Sequence, residues 1–259
     1  MAERSHPRDV ARTAIRTRHL THHFQPIVHL GSAALLGFEA LARFPEQTPP
    51  DRVWAAVRGT EDGLALGGVS VGRAVETGHS LPGRLFLNVS AHHLGHIGGP
   101  ECPLLGAMQQ HHLQPTDIIL EVTEDDVCDV DGAVHDIARL RQAGIAFALD
   151  DAGAEHSDRQ RLHWLQPEYV KLDRALVGRW RSGEQMSAQG WIERAHQIGA
   201  MVIAEGVEEA DALDPLLRAG VDAVQGYATG RPQPVGVWEQ ALSADQVPWR
   251  QGHYRPIRP

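Results

Sequence analysis

Two adjacent aspartates, Asp150 and Asp151, end an apolar run in the stretch 147-FALDDAGAEHSD-158. Side-by-side carboxylates repel each other unless protons or cations neutralise them. In a regular strand they would face opposite sides of the sheet, whereas at a frayed strand end both can reach the same region. The pair is therefore tolerable where it holds a metal ion.

Other polar side chains follow short apolar runs in the same way, each near the carboxyl end of a predicted strand. They are Glu39, Asn88, Glu121, Lys171 and Glu205. A buried, unpaired carboxylate costs several kcal/mol or changes its protonation state, which disfavours chance placement of the whole set. For any single residue the alternative is a strand-end cap or a paired surface ion. The set is rich in oxygen ligands and has no thiolate or ordered histidine motif, which favours Mg²⁺ or Mn²⁺ over structural zinc.

Strand alternation also separates close neighbours along the chain. Lys171 and Asp173 can point to the same side, whereas Glu121 and Glu124 cannot unless the strand ends between them. We therefore assign Glu121 to the site and Glu124 to the loop that follows it.

The elements that must position these residues are short apolar strands separated by helical or loop segments. The strand candidates are residues 22–30, 35–43, 85–90, 118–124, 146–151, 169–173, 201–207 and 223–227. Helical spacing lies between most of them, for example over 130–143, 188–198 and 208–219. Eight such units in about 250 residues predict a (β/α)8 barrel of the TIM type, whose active sites lie at the carboxyl rim. A doubly wound open sheet is the alternative.

The domain prediction is a barrel over residues 20–242, with an N-terminal extension over 1–19 and a C-terminal tail over 243–259. The tail is rich in proline and arginine, and neither end has the pattern of a further domain.

Composition excludes several classes of protein. The formal charge of −9 leaves no basic field for a polynucleotide, and 42% hydrophobic residues among 259 can form a large core. No apolar run reaches 18 residues and no signal peptide is evident, so we expect no membrane segment. Cys102 and Cys128 lack metal-ligand spacing and are expected to be reduced cysteines of a cytoplasmic protein.

Seven motifs in order and spacing together resemble those of the EAL-domain phosphodiesterases, over about residues 20 to 240. The resemblance implies a (β/α)8 barrel, often with an antiparallel first strand, that binds cyclic di-GMP and hydrolyses one phosphodiester bond to give linear pGpG. In this family a homodimer is possible. The motifs are 38-FEALAR-43, 85-LFLNVS-90, 120-LEVTE-124, 149-LDDAG-153, 170-VKLD-173, 203-IAEGVE-208 and 225-QGYATGRP-232.

The resemblance also implies a role for each matching residue. Glu39, Asn88, Glu121 and Asp150 would bind one divalent ion, and Asp150, Asp151 and Glu205 would surround a second. Lys171 would orient or help deprotonate the attacking water, with Gln225 near it, and Glu39 and Glu205 are counted with Lys171 as catalytic residues. Gln25 and Arg43 match positions that contact the ligand, as do Asn88 and Gln225. A surface salt bridge is the alternative for Arg43.

One loop departs from the family pattern. The family usually has D-D-F-G-T-G followed by an aromatic residue and two serines, whereas this chain has 150-DDAGAEHSD-158. The resemblance implies that this loop orders the second ion, helps form the dimer contact, and is anchored by Glu124 and Glu208. Ala154 replaces the threonine and Glu155 replaces a glycine.

Two classes of function follow from these patterns. The first is a two-metal cyclic di-GMP phosphodiesterase, because every matching ligand and the lysine are present. The second is a non-catalytic cyclic di-GMP receptor or protein-interaction module, which the altered loop favours. Hydrolysis of a different phosphodiester by the same metals is a third possibility.

Overall fold

A computed structural model describes residues 5–91, 94–97, 103–123, 130–154, 158–247 and 249. Eight strands of this part of the chain form one closed barrel in sequence order. This confirms the predicted TIM-type barrel and excludes the open sheet. Every predicted strand is present, with shifted ends in most cases. The strands are β1 (Thr21–His29), β2 (Leu35–Arg43), β3 (Arg84–Val89), β4 (Ile118–Val122), β5 (Ala146–Ala152), β6 (Tyr169–Leu172), β7 (Met201–Ala204) and β8 (Ala223–Gln225).

The first strand runs against its neighbours, as the family resemblance implied. β1 is antiparallel to both β2 and β8, while consecutive strands from β2 to β8 are parallel. Thr21 at the start of β1 therefore lies beside Arg43 at the end of β2. The rim formed by the carboxyl ends of seven strands thus includes the amino end of β1.

Helices surround this barrel over most of its circumference. The central apolar core lies between them and the outer faces of the strands. The helices of the described residues are α1 (Pro7–Thr17), α2 (Pro50–Val57), α3 (Glu61–Gly78), α4 (Leu94–Ile97), α5 (Pro103–Gln110), α6 (Val130–Gln142), α7 (Asp158–Leu165), α8 (Arg174–Arg181), α9 (Gln185–Gln197), α10 (Leu213–Arg218) and α11 (Val235–Ser243).

Both predicted extensions contain residues that pack on the barrel unit. In α1, Val10 and Ala11 are buried in a second apolar cluster that also contains Phe44 and Val53. Near the other end, Trp249 is buried, with its ring centroid 5.8 Å from that of Trp238. The boundaries at residues 19 and 242 stay predictions.

The interior of the barrel explains how the sequence builds a site. One apolar layer fills its lower part, formed by Ile27, Phe86, Ile119, Ala148, Tyr169, Ile203 and Ala223. Because strand side chains alternate with period two, the residue two positions nearer the rim faces the same interior. In the same strand order these residues are Gln25, Asn88, Glu121, Asp150, Lys171, Glu205 and Gln225. A polar layer thus lies directly above the apolar one.

No helix in the described part of the chain combines the length and apolarity that crossing a bilayer requires. Cys102 and Cys128 lie outside the described residues, so their predicted reduced state stays a prediction.

Candidate active site

Lys171 forms the centre of the polar layer. Its Nζ lies 2.7 Å from Glu205, 2.9 Å from both Asp150 and Glu121, and 3.5 Å from Glu39. The lysine side chain is 1% exposed and that of Glu121 is 0% exposed. Four carboxylates from four different strands or strand ends therefore converge on one buried ammonium group, as the barrel prediction required.

Amide side chains fix the position of the Glu39 carboxylate. Asn88 Nδ2 donates to Glu39 Oε1 at 2.7 Å, and Gln225 Nε2 donates to Glu39 Oε2 at 2.5 Å. Gln225 Nε2 also donates to Gln25 Oε1 at 3.2 Å, and Gln25 Nε2 donates to the Gly230 carbonyl at 3.0 Å. This chain of hydrogen bonds joins β1, β2, β3 and β8, and it orients Glu39 towards Lys171.

A backbone irregularity brings the two aspartates together. The pairing of β5 with β6 shifts register between Leu149 and Ala152, and Asp151 has a φ of 53°. Such a bulge adds a residue to one strand and redirects its side chains. Carboxylate oxygens of Asp150, Asp151 and Glu205 consequently lie within 4.8 Å of one another. We expected a frayed strand end here, but β5 continues to Ala152 and the bulge brings the carboxylates together instead.

The donor set fits a divalent cation. Neither oxygen of the buried Glu121 has a hydrogen-bond partner among the described residues, although Oε1 is within ion-pair distance of Lys171. A buried carboxylate oxygen without a donor is costly unless a cation compensates it. Carboxylate and amide oxygens are the ligands that Mg²⁺ and Mn²⁺ prefer.

Burial and mutual charge set the protonation of this layer. Burial raises the pKa of Glu121 well above its usual range, and the Glu39 carboxylate adds to the increase. Burial also raises the pKa of Glu205 to about 8, against the opposing effect of Lys171. For Glu39 burial acts in the same direction, but Lys171 and the two amide donors outweigh it and lower the pKa. At neutral pH Glu205 is therefore mainly protonated when no cation is bound, and burial favours the protonated form of Glu121.

Lys171 keeps its charge in this environment. Burial disfavours the ammonium form, but the four surrounding carboxylates, Asp150 first among them, outweigh burial and raise the pKa of Lys171 well above its usual range. The lysine can therefore donate hydrogen bonds in the ion-free site but has no free lone pair with which to accept a proton.

We expect Mg²⁺ to bind more tightly as the pH rises towards 8. A cation must displace the proton of Glu205, whose pKa is raised to about 8, so its dissociation constant should fall by up to about tenfold per pH unit below that value. Because the pKa of Glu205 is raised from 4.5 to about 8 in the folded protein, the free energy of unfolding without metal should decrease as the pH rises between these two values. Calorimetry in buffers of different ionisation enthalpy would count the released protons. A pH-independent affinity with no proton release would contradict the prediction, and Glu205→Gln supplies the matched control.

A cavity of about 690 Å³ opens beside the polar layer. Glu39, Asn88 and Asp151 line it on the barrel side, and Trp54 of α2 lines the facing wall. Most of its lining is apolar. The cavity thus joins the edge of the carboxylate cluster to a surface suited to a planar, weakly polar group.

Arg43 also lines the cavity, and its guanidinium donates to the backbone carbonyls of Leu41 and Ala42 at 3.3 and 2.9 Å. Neither Gln25 nor Gln225 lies on the cavity wall; both belong to the hydrogen-bond chain behind Glu39. Their predicted contacts with a ligand stay predictions.

Two sequence predictions near the rim have different outcomes. Strand alternation would allow Asp173 to point to the same side as Lys171, but β6 ends at Leu172 and the Asp173 carboxylate instead caps α8. Glu208 is half-exposed and its Oε1 lies 2.7 Å from Arg174. Glu124 and residues 155–157 lie outside the described residues, so the predicted anchoring of the loop is not tested.

Sequence reasoning did not find the wall of the cavity opposite the barrel. This wall is formed by Trp54 of α2 and by Leu64 and Ser70 of α3, none of which lies in a sequence motif. A half-buried tryptophan in a short amphipathic helix that follows a polar rim was the available signal. It is ambiguous, because the same pattern is typical of ordinary helix packing.

Comparison with known proteins gives the family context of this site. A family model described as "EAL domain" matches residues 8–232. The cyclic di-GMP phosphodiesterase NbdA of Pseudomonas aeruginosa is 31% identical over 249 residues, covering 90% of this chain and 31% of NbdA. The chain spans about a third of the length of the first curated relatives that it matches.

Solved structures give the same result for the fold. The PaMucR phosphodiesterase in complex with c-di-GMP is 26% identical with a TM-score of 0.74, over 88% of this chain and 97% of that one. Klebsiella pneumoniae BlrP1 in a calcium and cyclic di-GMP complex is 27% identical with a TM-score of 0.73, over 90% of this chain and 58% of BlrP1.

Proposed function

The chain belongs to the EAL domain family, and on this premise we propose that it is a phosphodiesterase that hydrolyses cyclic di-GMP to linear pGpG with two divalent ions. The observation that carries the proposal is the convergence of four carboxylates and Lys171 beside the 690 Å³ cavity. Relatives and solved neighbours named as cyclic di-GMP phosphodiesterases support the choice of substrate.

Two overlapping groups of residues would hold the ions. Glu39, Asn88, Glu121 and Asp150 would hold one ion, and the cluster of Asp150, Asp151 and Glu205 would hold the other. Mg²⁺ or Mn²⁺ bound there would lower the pKa of the attacking water and neutralise the charge that develops on the phosphate oxygens. The manganese and calcium complexes of BlrP1 support a divalent cofactor.

The chain's own groups orient the reaction. Lys171 is held as an ammonium by its carboxylate neighbours, so we assign it the role of positioning the attacking water by donating a hydrogen bond. The amide groups of Asn88 and Gln225 fix Glu39. Attack of water on phosphorus breaks the bond to the 3′-oxygen, which leaves as an alcohol, and the 5′-phosphate stays on the product pGpG.

The cavity would accommodate part of the dinucleotide. An acidic protein repels a phosphodiester at long range, so the bound cations must supply the local positive charge. Arg43 adds a guanidinium to the cavity wall, where its planar fork suits a phosphate. Trp54 and the apolar wall are suited to the face of a purine.

Turnover of cyclic di-GMP tests the proposal. We expect conversion to pGpG with Mg²⁺ or Mn²⁺, measured by chromatography of the nucleotides. In Ca²⁺ we expect binding with little turnover, because its looser coordination is less suited to phosphoryl transfer. Cyclic di-AMP is the matched substrate control. Hydrolysis of cyclic di-AMP at the same rate would indicate a different phosphodiesterase specificity.

A non-catalytic receptor is the second candidate, and the altered run from Ala152 to Asp158 favours it. Tight binding of cyclic di-GMP without product in any divalent metal would establish the receptor and exclude the phosphodiesterase. A homodimer is a proposal that rests on the family resemblance, and a cytoplasmic location is a proposal that rests on the composition of the sequence.

A further inference from the structure

We propose that Lys171 is a resident cation, which holds the carboxylates of the site together before metal arrives and which an arriving divalent ion must displace. The inference rests on the metal-binding part of the proposed function. It concerns the protein without bound metal, a state that an assay of hydrolysis does not measure.

The first argument is geometric. Nζ lies within 2.9 Å of three carboxylates, on Glu121, Asp150 and Glu205, and 3.5 Å from a fourth on Glu39. These residues come from β2, β4, β5 and the end of β7, and all of them belong to the predicted ligand groups. The ammonium therefore takes up the space between the oxygens that a cation would coordinate.

The second argument comes from the residue type. The chain has 24 lysine and arginine residues in total, and Lys171 is the only lysine among them. An ammonium is a compact charge with three donors that point in different directions, whereas guanidinium is a planar fork. The compact group suits the centre of converging carboxylates, which accounts for a lysine at this position in a chain that uses arginine elsewhere.

The third argument is the charge balance. One ammonium faces four carboxylates and compensates one of them. The other three carboxylates have no second cation within ion-pair distance among the described residues. Two divalent ions would replace the ammonium as the source of positive charge. Lys171 would then be free to contact the attacking water, which links metal binding to the proposed catalytic position of the lysine.

Removal of the charge tests the first half of the proposal. Lys171→Met keeps most of the side-chain length, and in EDTA at pH 8 we expect its melting temperature to fall by about 10 °C. Arg181→Met is the matched control, because it removes a cation that also has two carboxylate partners, Glu209 and Asp211, but at the surface. Its melting temperature should change by less than about 2 °C. An equal melting temperature for Lys171→Met and the wild type would overturn the proposal.

Metal affinity tests displacement. Without the competing ammonium, Lys171→Met should bind Mg²⁺ at least about tenfold more tightly than the wild type by calorimetry, and Mg²⁺ should raise its melting temperature more. Unchanged or weaker Mg²⁺ binding would contradict displacement. Neither measurement uses the nucleotide. An absence of turnover by the wild type would therefore refute the proposed function without affecting the conclusion about Lys171.

A second variant covers the case in which Lys171→Met does not fold in EDTA. Asp150→Asn removes one of the carboxylates that the lysine compensates, 2.9 Å from its Nζ, so the double variant should be more stable than Lys171→Met alone. If the double variant is no more stable, charge compensation is not the role of Lys171.

The single lysine also permits a direct observation. Lysine labelled with ¹³C at Cε gives one side-chain resonance from this chain, and we expect it to shift in step with the calorimetric Mg²⁺ titration. A resonance that does not change while Mg²⁺ binds would show that the lysine keeps its position, and would overturn displacement.

Discussion

Asp150→Asn is expected to lower the turnover of cyclic di-GMP by at least about 10³-fold and to weaken binding of both ions. Asp150 belongs to both predicted ligand groups, and its Oδ1 is 2.9 Å from Lys171 Nζ. The amide keeps the shape of the side chain but removes its charge and one acceptor oxygen. Steady-state rates at saturating substrate, with a Mn²⁺ titration by calorimetry, would measure the two effects.

The control for this variant is Glu209→Gln. Glu209 is exposed and pairs with Arg181 outside the polar layer, so its turnover and melting temperature should equal those of the wild type. Glu39→Gln should change turnover in the same direction as Asp150→Asn, because both amide donors would lose a charged acceptor. An Asp150→Asn rate within tenfold of the wild type would refute the assignment of Asp150 as a shared ligand.

The barrel and the polar layer could be predicted because both depend on local periodicity. Short strands with period two place alternate residues inside, so a polar residue two positions after a buried one must reach the rim interior. Glu121 after Ile119 and Lys171 after Tyr169 follow this rule. The closed topology then brings residues from distant parts of the chain to one point, which no single motif contains.

The bulge in β5 could not be predicted from the same rule. Alternation separates Asp150 from Asp151, and only the left-handed conformation of Asp151, with φ of 53°, reverses that separation. Aspartate tolerates this conformation better than most residues, but nothing in the sequence requires it. The prediction of the pair from its electrostatics is therefore separate from the prediction of a frayed strand end, which is wrong because β5 continues to Ala152.

The helix α3 shows a second limit of pattern reading. It contains five glycines at positions 63, 67, 68, 72 and 78, which weaken any helical prediction. Contacts that depend on tertiary structure explain two of them. A Cβ on Gly72 would lie 2.7 Å from Pro103, and one on Gly78 would lie 2.5 Å from Phe24. The glycines allow α3 to approach α5 and β1 closely, and α3 forms one wall of the cavity that sequence reasoning missed.

The double variant Ala154→Thr with Glu155→Gly is expected to raise turnover by about 10²-fold at limiting Mn²⁺, the size typical of one positioned catalytic element. Ala154 is exposed, and its N–H donates at 3.2 Å to the carbonyl of Asp151, a predicted ligand of the second ion. Threonine returns a hydroxyl to the start of the loop. Glycine removes a negative charge close in sequence to the cations and permits backbone angles that glutamate resists.

A Mn²⁺ titration at saturating cyclic di-GMP separates the possible reasons for a change. If the loop orders the second ion, the double variant should reach its full rate at lower Mn²⁺, and the two proteins should converge as Mn²⁺ increases. Ala154→Ser with Glu155→Gln is the matched control, since it restores a hydroxyl and removes the charge but not the backbone freedom. Equal rates at every Mn²⁺ concentration would show that the present loop is competent, because a loop that holds the second ion poorly must respond to its repair. Tight binding of cyclic di-GMP without turnover by either protein would instead identify a receptor whose loss of activity lies beyond these two positions.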